Sequence, residues 1–231
     1  MIGRIFLAAI AAGLIAGAFV SAAQMVKVVP LIHAAENYEA PAPHAHSHDT
    51  GTAAGHSHDE QSWMPEDGGE RIMFTVLTNI ILGAGFALLI AAGMTLRGTA
   101  TDWRRGLIWG AAGFLAFSFL PALGLPPELP GMAAADLTGR QLWWVMTVVA
   151  SAGGLGLIAF AANWPLRVLG IAMLTIPHIV GAPHPHEFSS GGVPAELAAQ
   201  FVATSLVTAG LFWLVLGALT GHFIGRGLQS D

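Results

Sequence analysis

Polar positions in this chain are gathered into a few stretches, and between them run six apolar blocks, at about 5–26, 72–96, 106–123, 142–162, 166–182 and 197–223. A helix needs roughly 20 residues, with a range of about 17 to 25, to cross the hydrocarbon core of a bilayer. Five blocks meet that length. The fifth, 166–182, is marginal and contains Pro177 and His178. Pro177 cannot donate to the carbonyl of Met173 and crowds it, which predicts a kinked, re-entrant or short span there. The pattern therefore predicts an all-α integral membrane protein, a bundle of about six transmembrane helices, five strong and one short and broken by proline. A single transmembrane domain over 1–231 is expected, with 40–68 as a flexible loop.

Composition agrees with that solvent. The chain is 54% hydrophobic and only 10% charged, against about 25% charged in soluble domains. That leaves too little polar surface to hold 231 residues in water. With no cysteine, disulfides, thiolate metal sites and iron–sulfur clusters are excluded. Any metal site must use nitrogen and oxygen ligands.

The charges are unevenly placed. Six spans with the N-terminus inside put Arg4, Arg97, Arg104, Arg105, Arg167 and Arg226 on the inner side and only Lys27, Arg71 and Arg140 on the outer. Cytoplasmic loops carry the excess of Lys and Arg, so both termini are expected in the cytoplasm of a cell whose inner (plasma) membrane holds the protein. Every acidic residue except Asp102 and Asp231 falls on the outer side. The first block has a basic residue, an apolar run and Val20-Ser21-Ala22, as a cleaved leader would. Its length, and Gly13 and Gly17 at the spacing that lets helices approach, favour a retained helix.

The long segment between the first two blocks holds His44, His46, His48 and Asp49, then His56, His58 and Asp59, among Ala, Pro, Gly, Thr and Ser. His-Ser-His-Asp occurs twice, at 46–49 and 56–59. Imidazole binds Co, Ni, Cu and Zn ions and the carboxylates add oxygen donors, so the segment reads as a weak, multi-ion sponge; the bland alternative is a solvated linker. Just before it, His33 and Glu36 stand at i, i+3 with Asn37 at i+4, and Glu39 follows. That set suits a first-row divalent ion, or is simply a helix end meeting water. His178 lies inside an apolar block, where an ionisable group is a functional candidate by default; the alternative is a histidine bonded to a neighbouring helix. His184, His186 and Glu187 follow. Trp143 and Trp144, like Trp103 and Trp164, fit an interfacial belt. His222 falls near the inner end of the last block. No nucleotide-binding loop, nucleophile elbow, zinc-protease motif or basic nucleic-acid patch is present.

Ordered islands run along nearly the whole chain: Pro30-Leu31-Ile32 and Ala35-Glu36-Asn37-Tyr38-Glu39, then Leu125-Pro126-Pro127-Glu128-Leu129-Pro130-Gly131 and Arg140-Gln141-Leu142-Trp143-Trp144, then Pro177-His178, Gly181-Ala182-Pro183-His184-Pro185 and Pro194-Ala195-Glu196-Leu197. In these the chain resembles CbtA-type cobalt transporter subunits. The resemblance implies cobalt uptake tied to cobalamin synthesis and a small, single-span, histidine-containing CbtB-type partner. The family is usually described with five spans, one fewer than the apolar blocks counted above.

The expectation is thus a non-enzymatic membrane subunit that takes up Co²⁺, with Ni²⁺ as a second cargo and no tightly bound cofactor. Its metal residues would be His33, Glu36, Glu39, His44, His46, His48, Asp49, His56, His58, Asp59, His178, His184 and His186. Its partners would be membrane lipid, the CbtB-type subunit and further copies of itself, with no nucleic acid. A metal-binding accessory protein that delivers or senses ions without conducting them is the alternative. A membrane enzyme would need several ligands at one depth, and the apolar blocks hold only His178 and His222, near opposite ends.

Overall fold

A computed structural model describes residues 2–38, 65, 68–98, 101–185, 190 and 192–229. Eight α-helices account for most of them. Five apolar runs are long enough to cross a membrane: α1 (Ile2–Lys27), α3 (Gly69–Arg97), the run Trp103–Gly124, α6 (Leu137–Phe160) and α8 (Ala195–Gln229). Trp103–Gly124 comprises α4 (Trp103–Phe114), a π-helical turn at Leu115–Phe119 and α5 (Leu120–Gly124). A short helix, α2 (Val29–Glu36), caps the first span, and α7 (Trp164–Val180) is the shorter apolar helix. Large apolar side chains face outward all round, as at Ile108, Val149, Ile179 and Val207. In water that surface would be untenable; in lipid it is ordinary.

Glycines set the closest contacts. A Cβ on Gly13 would strike the Ala84 backbone, and one on Gly106 would strike the Gly217 carbonyl. The α1–α3 and α4–α8 pairs therefore pack backbone to backbone, the small-residue mode that works without a hydrophobic drive between helices. Both pairs are antiparallel, since Gly17 meets Ile80 while Gly13 meets Ala84, and Gly110 meets Trp213 while Gly106 meets Gly217. A buried cluster of Ala9, Ala12, Ala16, Ala87, Ile90, Trp213 and Leu216 joins α1, α3 and α8.

α7 settles the doubtful block. It lies antiparallel to α6, with Gly170 on Gly154, Met173 on Gly153, the His178 ring on Trp143 and Pro183 near Gly139. Its 17 residues span about 25 Å at 1.5 Å each, and residues 181–183 carry the chain back to the first turn of α6. Pro177 sits in the last turn of α7, which stays helical until Gly181 (φ 85°). The expected break does not divide the helix: α7 runs through Pro177 and ends one turn later, and the proline removes only its own bond to the Met173 carbonyl in the preceding turn.

The bundle consequently has two distinct ends. One holds the start of α1 and the end of α8, with Arg4, Arg97, Arg104, Arg105, Arg167 and Arg226. The other holds α2, the segments 125–136 and 181–194, and the start of α3. At this second end Ala35, Leu129, Val193 and Phe201 form a separate buried cluster, with Leu31, Ile32 and Leu197 packed on it.

Candidate functional site

The segments that carry the described histidines His33, His178 and His184 all lie at the second end. The stretch with His44, His46, His48, Asp49, His56, His58 and Asp59, together with Glu39 and His186, lies outside the described residues. Its flanks, Tyr38 and Gly68, both stand at this end.

α2 positions the first candidates. The first helix stops at Lys27 and restarts at Val29, where Pro30 fits the opening turn because that position needs no helical N–H. The restart preserves the i, i+3 relation. His33 Nδ1 lies 2.8 Å from Glu36 Oε2. A carboxylate oxygen can only accept, so Nδ1–H donates, which in the neutral tautomer leaves the lone pair on Nε2. Glu36 Oε1 accepts from Arg71 at 3.2 Å. The His33 hydrogen bond first, and the Arg71 guanidinium after it, hold the Glu36 carboxyl below its ordinary value of 4.5. Asn37 is not part of this set: its Nδ2 donates to the His33 and Ala34 carbonyls and closes the helix end. Glu36 is thus placed to orient an imidazole, the arrangement in which a carboxylate fixes the tautomer of a metal-binding histidine.

α6 and α7 position the second set. The His178 ring meets Trp143 edge-on, with centroids 6.0 Å apart. His178 Nε2 is buried and has no hydrogen-bond partner among the described residues, so the histidine does not brace a neighbouring described helix through that atom. Trp143 is half-buried beside Gly124, whereas Trp103 and Trp164 are exposed at the arginine-rich end. His184 is exposed beyond Gly181. His222, against Phe223, lies towards the opposite end. Among the described residues no three His, Asp or Glu side chains converge on a metal position.

Two features were not expected from the sequence. The π-helical turn precedes Pro121, whose ring would crowd the carbonyl four residues earlier in a regular helix. It turns Ser118 to accept from Trp213 Nε1 at 3.1 Å. Ser118 and Ser205 line both a groove of about 750 Å³, whose rim carries the Glu128–Arg140 pair, and a smaller, mostly apolar cavity of about 190 Å³ that also touches Gln24, Asn79 and Thr208. The proline was a signal for the turn; nothing in the sequence pointed to the cavity. The second feature is a row of unpaired polar atoms on α6, treated below.

Comparison with known families decides the identity. The family described as probable cobalt transporter subunit (CbtA) matches residues 2–225, nearly the whole chain. The chain belongs to the CbtA family. Four of the islands of sequence that resemble CbtA meet in space: Leu31 and Ile32, Ala35, Leu129, and Leu197 share the cluster at the second end of the bundle. No curated protein and no solved structure matches the chain. A cobalt transporter subunit of this family is a multi-pass membrane protein, and the helices long and apolar enough to span a bilayer accord with that.

Proposed function

We propose that this CbtA-family chain is the membrane subunit for uptake of Co²⁺, with Ni²⁺ as a second cargo, and that the ion enters at the end where α2, His178 and His184 lie. One observation carries the direction: this end holds the segments of His33, His178 and His184, and the opposite end holds six of the nine basic residues. By the excess of Lys and Arg on cytoplasmic sides, the histidine end faces outward from the plasma membrane and both termini face the cytoplasm. His44, His46, His48, Asp49, His56, His58, Asp59 and His186 concentrate the ion. His33, oriented by Glu36 and assisted by Glu39, receives it. His184 and His178 pass it towards the membrane interior. Supply of cobalt to cobalamin synthesis is the use that the family resemblance implies. The word subunit in the family description supports further chains, and a single-span histidine-containing CbtB-type protein is the partner proposed.

Orientation is tested by labelling. The chain has no cysteine, so Ser57→Cys and Ser230→Cys each supply a single thiol. An impermeant thiol reagent applied to intact cells should modify the first and spare the second. Modification of the second would reverse or remove a span and overturn the proposed direction.

Removal of residues 43–60 tests the concentrating role. A sponge raises local ion concentration without being an obligatory stop. The half-saturating cobalt concentration should rise severalfold while maximal uptake changes by less than about twofold. Loss of all uptake in a normally inserted protein would make the segment part of the route itself.

A further inference from the structure

Among the described residues, four buried side-chain polar atoms have no hydrogen-bond partner: Trp143 Nε1, Thr147 Oγ1, Ser151 Oγ and His178 Nε2. All four belong to one helix pair. Trp143, Thr147 and Ser151 follow at intervals of four, which puts them on one face of α6. Trp143 on that face touches His178, Thr147 lines a groove with Met173, Pro177 and Val180 of α7, and three residues beyond Ser151, Gly154 touches Gly170 and Leu174. Thr147 and Ser151 are fully buried.

The two hydroxyls are unusual for this protein. Ser21, Thr75, Thr95 and Thr220 each donate to the carbonyl four residues earlier, at 2.7–2.8 Å. That is how a hydroxyl in an apolar helix satisfies itself. Thr147 and Ser151 do not. On the facing helix, Pro177 offers no N–H to the Met173 carbonyl. The seam therefore gathers donors and acceptors at a depth where unpaired polar groups are costly.

The chemistry of the four atoms selects their partner. An indole N–H only donates, so it cannot ligate a cation. Hydroxyls donate and accept, and the imidazole nitrogen does one or the other. Water serves all four. Lipid and a partner helix are too large to reach Thr147 and Ser151 at full burial. We infer that the α6–α7 seam is a hydrated site in which water bonded to Trp143, Thr147, Ser151 and His178 receives a divalent cation that keeps part of its hydration shell. His178 Nε2 is the one nitrogen able to replace a water on the ion, and the two hydroxyls accept hydrogen bonds from the waters that remain. The absence of three converging His, Asp or Glu side chains among the described residues accords with an ion held mainly through its water. The cation half of this inference rests on the reading that His178 lies on the ion's route.

Two measurements test it. X-ray radiolysis generates hydroxyl radicals from bound water in place, so the unmodified protein in lipid should be oxidised at Trp143 at least fivefold faster than at Trp144 or Trp213. Trp144 is its exposed neighbour on α6, and Trp213 is buried and bonded to Ser118. Equal or slower oxidation of Trp143 overturns the hydrated seam. For the ion, Ser151→Cys places a soft ligand beside the water. Cd²⁺ should then block cobalt uptake at a concentration at least tenfold below that which blocks the unmodified protein, while Ala16→Cys, buried between α1 and α3, should leave the Cd²⁺ sensitivity unchanged. Unchanged sensitivity of an inserted Ser151→Cys protein overturns the cation half. The failures are separable: slow Trp143 oxidation denies the water, whereas normal uptake by His178→Gln denies His178 a place on the route whatever the oxidation pattern.

Discussion

Uptake by the His178→Gln protein should fall at least tenfold at saturating cobalt, with insertion and abundance unchanged. Gln keeps polarity and approximate size but lacks the imidazole's strength as a ligand for first-row ions. A structural histidine would behave differently, since the Gln amide can supply a replacement hydrogen bond. No described residue pairs with His178 Nε2, so no such bond is lost. The deficit should be largest for ions that favour nitrogen donors. Normal saturating uptake by this variant would remove His178 from the mechanism and leave only the outer residues on α2.

The second large effect is expected at α2. Removing a carboxylate that orients a metal-binding histidine typically costs about 10- to 100-fold in metal affinity. Glu36→Gln should therefore raise the half-saturating cobalt concentration by roughly tenfold, and His33→Ala by more. Maximal uptake should change less than in His178→Gln, because these residues receive the ion rather than pass it through the membrane. The pH dependence has a definite sign. The folded-state Glu36 carboxyl is held below 4.5 by His33 and Arg71, so its contribution is fully present above the ordinary carboxylate range and is lost only as pH falls through the lowered value. Protein unfolding and cobalt affinity measured between pH 5 and 8 should show no loss traceable to Glu36 protonation. An Oε1 contact with Arg71 also places a cation beside the carboxylate, which argues for Glu36 as the orienting group and His33 as the ligand. A Glu36→Gln protein with unchanged half-saturation would dismiss the α2 site.

The spans were legible because block length is set by bilayer thickness. The stretches at 5–26, 72–96 and 197–223 appear as α1, α3 and α8, each extended by a few residues at its ends. The marginal block at 166–182 is a helix that continues through Pro177 to Val180; hydropathy alone could not show that Gly170 fits against Gly154 and returns the chain alongside α6. The i, i+3 spacing of His33 and Glu36 was readable because a helix turns that spacing into contact. Arg71 was not, since its contact joins positions 35 residues apart. The Thr147–Ser151 face was hidden for a different reason. Isolated hydroxyls in an apolar helix usually bond to their own backbone, and only the packing of α6 on α7 shows that these two do not. Likewise Trp143 matched an interfacial tryptophan by composition, and its contact with His178 places it in the seam.

Flux across a sealed membrane tests the central claim most directly. The chain, together with any small subunit that copurifies with it, is reconstituted into liposomes, and cobalt is measured in the lumen and on the protein. Luminal cobalt should rise well above that in empty liposomes and in liposomes carrying the His178→Gln protein. Cobalt that binds the protein but never accumulates in the lumen would contradict transport and make the chain an accessory that holds or delivers the ion.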